Sequence, residues 1–125
     1  MYHVVLVAIG GAIGSALRYL TGIAALRMMG PNFPWGTLTV NVVGSFAIGI
    51  LSHVIMARFG ASEALRLLMI TGVLGGFTTF SAFTLDAIVL AERGAVVMPL
   101  VYVLASVTLS IGAALLGLGL ARSFA

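Results

Sequence analysis

ITGVLGGFTTFSAF, residues Ile70 to Phe83, sits near the middle of the third long apolar segment and decides how the chain is built. Gly72, Gly75 and Gly76 interrupt what would otherwise be a continuous membrane-spanning helix, and Thr78, Thr79 and Ser81 follow at once, interleaved with Phe77, Phe80 and Phe83. Glycine at that depth is tolerated where neighbouring protein or a lined cavity satisfies the freed backbone groups. Discontinuous helices of this kind are where membrane proteins commonly handle ions.

The rest of the chain agrees with a membrane setting. Its 125 residues are 62% hydrophobic and 7% charged, with a mean hydropathy of +1.25. A soluble domain carries about 25% charged residues, so this composition belongs in a lipid bilayer. A span needs ~20 apolar residues, and the apolar runs predict four spans, at about residues 4–23, 36–57, 66–90 and 96–120. The expected fold is one all-α membrane domain over residues 1–125, its third helix broken at mid-membrane at Gly75-Gly76. Ser62 is placed to cap the first half of that third span. Gly10 and Gly14 form a Gly-xxx-Gly pair that permits close helix approach in span 1.

No cysteine is present, which removes disulfides and thiol chemistry. The six basic residues are all arginines, placed singly at helix ends rather than in a run, which argues against a nucleic-acid partner. No Cys/His cluster, carboxylate pair or phosphate loop exists, so enzymatic chemistry has nothing to stand on. The N-terminus lacks the positive n-region of a secretory signal and reads as the start of span 1.

Four spans put both termini on one side, with Arg58, Arg66 and Arg122; the other side collects Arg18, Arg27 and Arg93. Orientation follows Lys/Arg bias in short loops, and here there is almost none. Other cues can fix topology. The balance nevertheless favours insertion both ways, which would allow an antiparallel homodimer.

Thr37, Asn41 and Ser45 in span 2 are spaced i, i+4, i+8 and share a helical face. Tyr102, Ser106 and Ser110 repeat that spacing in span 4. Each such residue alone reads equally well as interhelical hydrogen-bonding glue; three in line on two spans favour a hydrated track. All can donate a hydrogen bond and none is negative. The deep interior holds no carboxylate, since Asp86 lies towards the end of span 3 and Glu63 and Glu92 lie in loops. A cation pathway would show Asp or Glu facing the bundle interior, so a donor-lined route suits a small anion.

Phe77, Phe80 and Phe83 are three apart and are expected to lean onto one face. Their ring edges are positive and would support an anion weakly, although an aromatic stripe is more often packing. A break at Gly75 frees carbonyls, which suit Na⁺; in a two-fold dimer, two per chain would make a four-oxygen site on the axis. A glycine-rich packing contact without an ion is the plain alternative. Arg18, expected in the last turns of span 1, would snorkel to the interface or line an aqueous vestibule.

GGAIGSALRY in span 1, GTLTVNVVGS in span 2 and GGFTTFSAF in span 3 together resemble the Fluc (CrcB) fluoride channels, over the whole chain. The resemblance implies a dual-topology antiparallel homodimer in the bacterial plasma (inner) membrane. Each dimer would carry two pores and export fluoride passively, which protects the cytoplasm from its toxicity. It further implies that Asn41, Phe80 and Phe83 line the pore. Tyr102, Ser106 and Ser110 correspond to its polar track, Arg18 to its vestibule, and the hydroxyls of Thr37, Thr79 and Ser81 are expected along it. The carbonyls of Gly75 and Thr78 correspond to those that hold a structural Na⁺ at the dimer interface. Three departures stand out: Ala82 replaces a second threonine of the motif, Asp86 stands where glutamate is usual, and Ala114 where a further hydroxyl is often found. Small four-span multidrug exporters share the size and charge balance but need a glutamate in span 1, which is missing here. A non-conducting scaffold subunit would explain the glycine pairs and leave the aligned hydroxyls idle.

Overall fold

The computed structural model describes residues 1–94 and 96–124 and is all-helical there. Helix α1 is Tyr2–Met29 and α2 is Trp35–Arg58. The third span comprises α3 (residues 63–77) and α4 (Ser81–Glu92), separated by an extended break, and α5 is Val97–Phe124. Four segments are thus long and apolar enough to cross a membrane, the third of them Glu63–Glu92. The protein is a multi-pass membrane protein. At 28 residues, α1 is longer than the ~20 needed to cross the hydrocarbon, and Arg27 lies in its last turn.

Two sequence-based boundaries move. Span 1 continues past Ile23 to Met29, because Ala24 to Met29 contains no helix breaker. It stops at Gly30, whose φ of 81° suits only glycine well, followed by Pro31. Arg18 therefore sits in the body of α1 rather than in its last turns. The third span starts at Glu63, ahead of the expected Arg66, at the expected cap: Ser62 Oγ accepts the Leu65 N–H at 3.2 Å.

The break also moves. Gly75 to Phe77 is still helical, and the chain becomes extended at Thr78, with φ −89° and ψ 160°. Gly72 and Gly76 serve contact rather than unwinding, whereas a methyl on Gly75 would have ordinary room. A methyl group on Gly76 would lie 2.6 Å from the Gly11 carbonyl oxygen, and one on Gly10 would lie 2.8 Å from Gly72 Cα. Backbone meets backbone along the whole α1–α3 seam, the close-packed geometry that small residues permit in lipid. Across that seam α3 is wound wider than an α-helix, with π-type turns over Leu67–Leu74 that end where the Gly75 N–H reaches Ile70 O. On the other side α2 packs on α5 with Gly49 against the Ala114 carbonyl and Gly117 against the Phe46 carbonyl.

These contacts make the cost of a single methyl position-dependent. Gly14→Ala would press a methyl into the Val73 carbonyl, which cannot rotate away, whereas Gly119 faces open space. Gly14→Ala is expected to destabilise the detergent-solubilised protein by about 1–3 kcal/mol. Gly119→Ala should leave the thermal midpoint unchanged, and equal midpoints for both variants would refute backbone contact as the basis of the seam.

Candidate ion pathway

Extending the chain at Thr78 redirects the hydrogen bonds that an unbroken helix would make. The Thr79 N–H, which would close onto Gly75 O, donates instead to Asn41 Oδ1 at 2.8 Å, and Asn41 Nδ2 returns a bond to Thr79 O at 3.0 Å. The Ala82 N–H, which would close onto Thr78 O, donates to Thr79 Oγ1 at 3.0 Å, so Thr79 caps α4. Thr78 turns back: its N–H and its hydroxyl both donate to Leu74 O, each at 2.9 Å. Arg18 Nε donates to Gly76 O at 3.0 Å. The guanidinium thus spends one donor on the break, which accounts for a charged residue so far inside a helix that spans the bilayer.

Beside the break lies an open groove of about 440 Å³. Asn41 and Ser45 line it from α2, Gly75, Thr78, Thr79, Phe80 and Phe83 from the broken span, and Ser106 and Ser110 from α5. Among the described residues the lining carries no ionisable side chain. Ser106 Oγ is buried and has no hydrogen-bond partner among them. Each groove face thus offers hydroxyl or amide donors, with apolar walls between them.

The two phenylalanines differ. Phe83 is buried and packs at a tilt against Tyr102, 5.2 Å between ring centroids, whereas Phe80, its ring 5.6 Å from Phe83, is 79% exposed at the groove mouth. Tyr102 is fully buried behind Phe83 rather than lining the groove; Phe33 meets it edge-on at 5.4 Å and its hydroxyl donates to Asp86 Oδ2 at 3.2 Å. Phe77 does not share their face. The extended Thr78 breaks the helical spacing, and the Phe77 ring lies beside Gly44 of α2.

Arg18 and Thr37 lie on the far side of the break, in a second cavity of about 480 Å³. Thr79 lines both spaces and is the partition between them. Thr37 also reaches a third cavity, with Asp86 and Arg93. Ser81 lines none of the three and pairs with Thr79 through their hydroxyl oxygens, 3.3 Å apart. Two features lacked a sequence signal of their own. The Tyr102–Asp86 bond joins residues 16 apart on different helices, and Gly44 reads as one more span glycine although a methyl there would collide with Thr78 Cγ2.

The family model for CrcB-like protein, Camphor Resistance (CrcB), matches residues 5–118. The chain belongs to the CrcB family. Among similar proteins, the fluoride-specific ion channel FluC of Rhizobium etli (strain CIAT 652) is 61% identical over 125 residues, covering all of both chains. The proteins of that name from Rhizobium leguminosarum bv. trifolii (strain WSM2304) and Agrobacterium fabrum (strain C58) are 60% identical over 125 residues and 56% over 123 residues. These cover 100% and 98% of each chain. The CrcB match takes in both seams, the break and the groove.

The close seat of Thr78 on Gly44 can be tested in this CrcB chain by a paired substitution. Gly44→Ala is expected to cost about 1–3 kcal/mol through overpacking. Thr78→Ser removes Cγ2, keeps the hydroxyl bond to Leu74 O, and should recover most of that loss in the double variant. Additive losses in thermal melts would show that the two positions do not touch.

Proposed function

We propose that this chain is a fluoride-selective ion channel that lets fluoride leave the cytoplasm passively and so limits its toxicity. The observation that carries the proposal is the groove at the helix break, where amide and hydroxyl donors alternate with phenyl rings and no carboxylate is present. It stands on a chain that matches, end to end, relatives named fluoride-specific ion channels. Fluoride is small and strongly hydrated, so a pore must replace its water with close donors. Ser106 Oγ, buried and unpaired, is one donor held ready for that purpose. The positive edges of Phe80 and Phe83 add weak attraction, enough to admit an anion without trapping it.

The groove is open on one side, and Phe80 projects from it. A second copy inserted in the opposite sense supplies the missing wall, and the near-equal arginine count on the two sides supports dual insertion. Asn41, Thr79, Phe80, Phe83, Ser106 and Ser110 border the anion's path, with Tyr102 supporting Phe83 from behind. Arg18 and Thr37 attract the ion into the cavity beyond the break, and Ser81 contributes through Thr79. The carbonyls of Gly75 and Thr78, whose helical partners bond elsewhere, fit a structural Na⁺. Na⁺ is a hard cation suited to oxygen ligands, and when bound it would tie the two copies together.

Liposomes containing the purified protein should lose fluoride down its gradient while retaining chloride; chloride loss at an equal rate would overturn the proposal. Phe80→Ile and Phe83→Ile should each lower fluoride flux by roughly tenfold or more, the equivalent of at least about 1.4 kcal/mol at the limiting barrier, with the dimer intact on size exclusion. Unchanged flux in both would take the rings out of the conduction path. A reporter fused to the C-terminus should be found on both membrane faces in cells, and a one-sided result would exclude dual insertion.

A further inference from the structure

The Gly75 carbonyl is open because of a residue on another helix. In an unbroken helix it would accept the Thr79 N–H. The φ of Thr78, −89°, is near the helical range, and its ψ of 160° turns the chain away from the helix into α4, which Phe83 and Leu90 anchor in one buried cluster with Tyr102 of α5. An unmade backbone hydrogen bond is costly in a membrane interior, so the Thr79 N–H released from Gly75 O needs another acceptor. That acceptor is Asn41 Oδ1, 2.8 Å from the Thr79 nitrogen, and Asn41 Nδ2 holds the carbonyl end of the same residue at 3.0 Å. Asn41 reaches it from α2, which is held beside the break by the close seat of Thr78 on Gly44.

We propose that Asn41 is a positioning residue for the cation site: its side-chain amide captures the Thr79 N–H and thereby keeps the Gly75 carbonyl available to Na⁺. The inference rests on the carbonyl–Na⁺ assignment made above and deepens it. An amide has one carbonyl oxygen and two N–H donors. Here the oxygen accepts from the Thr79 N–H and one donor goes to Thr79 O, so both of Asn41's side-chain hydrogen bonds in the structure shape the break. The acceptor atom, not the amide as a whole, carries the effect. Asn41→Asp keeps an oxygen for the Thr79 N–H while losing the donor to Thr79 O, whereas Asn41→Leu keeps neither.

The experiment follows the thermal midpoint of the purified dimer in detergent as sodium replaces N-methylglucamine at constant ionic strength, with fluoride flux recorded in parallel. Asn41→Leu should raise the sodium concentration for half-maximal stabilisation about fivefold to tenfold, the equilibrium weight of one hydrogen bond. Asn41→Asp should need no more sodium than the wild type, whatever its flux, since a charge on the groove wall affects conduction separately. An unshifted sodium midpoint in Asn41→Leu overturns the inference. If Asn41→Leu does not assemble, the Asp variant decides: a raised requirement overturns the inference and an unchanged or lowered one supports it. A wild type whose stability and flux ignore sodium would overturn the Na⁺ assignment itself, an outcome distinct from failure of the Asn41 step alone.

Discussion

The structure depends on how a broken backbone is satisfied where there is no water. Hydrocarbon offers no partner to a free peptide group, and each one left unpaired there costs several kcal/mol. The break at Thr78 is tolerated because side chains from three directions replace the missing ladder. Asn41 on α2 takes both ends of Thr79, Arg18 on α1 covers Gly76 O, and Thr79 caps the start of α4 with its own hydroxyl. Thr78 seals the end of α3 by doubling its bond to Leu74 O. None of these residues is interchangeable with an apolar one. That is why a chain with so few polar groups concentrates them around one short segment.

Those side chains reach the break only because the helices around it are unusually close. Glycines on α1 and α3 bring backbone against backbone, so Arg18 on α1 reaches Gly76 O on α3. Gly44 does the same for α2 and lets Thr78 settle against it. Packing and polar satisfaction are thus one problem here. The small residues supply the distance, and the polar residues use it.

Much of this was legible in the sequence. Four apolar runs gave the spans, Ser62 gave the cap of α3, and the i, i+4 spacing brought Asn41 with Ser45 and Ser106 with Ser110 to one groove. The position of the break was misplaced for a physical reason. Glycine signals either a weak helix or a close neighbour, and only three-dimensional contact shows that Gly75 and Gly76 remain helical while Gly76 abuts α1. Helical spacing groups Phe77 with Phe80 and Phe83, a rule that fails once Thr78 is extended. Tyr102 continues the stripe of Ser106 and Ser110, yet the ring of Phe83 lies over it and Phe33 closes its edge, so it supports the groove wall instead of forming it. The depth of Arg18 is missed when span 1 is closed at the ~20 residues a crossing needs, although nothing between Ile23 and Met29 marks a helix end.

One peptide segment can serve ions of both signs because a peptide group has two poles. In the proposed arrangement the break directs its N–H groups inwards, to Asn41 and to the Thr79 hydroxyl, which leaves carbonyl oxygens facing out for a cation. The anion must then be served by side chains, and the groove supplies them from α2 and α5 without a carboxylate that would repel it. Had the N–H groups been left facing the groove, they would have bound an anion tightly at a fixed point, as helix N-termini do. Conduction needs the opposite, several weak contacts in succession. Isolated hydroxyls and ring edges provide such contacts, so the same hydrogen bonds that hold the backbone open also keep its strongest anion-binding groups away from the path.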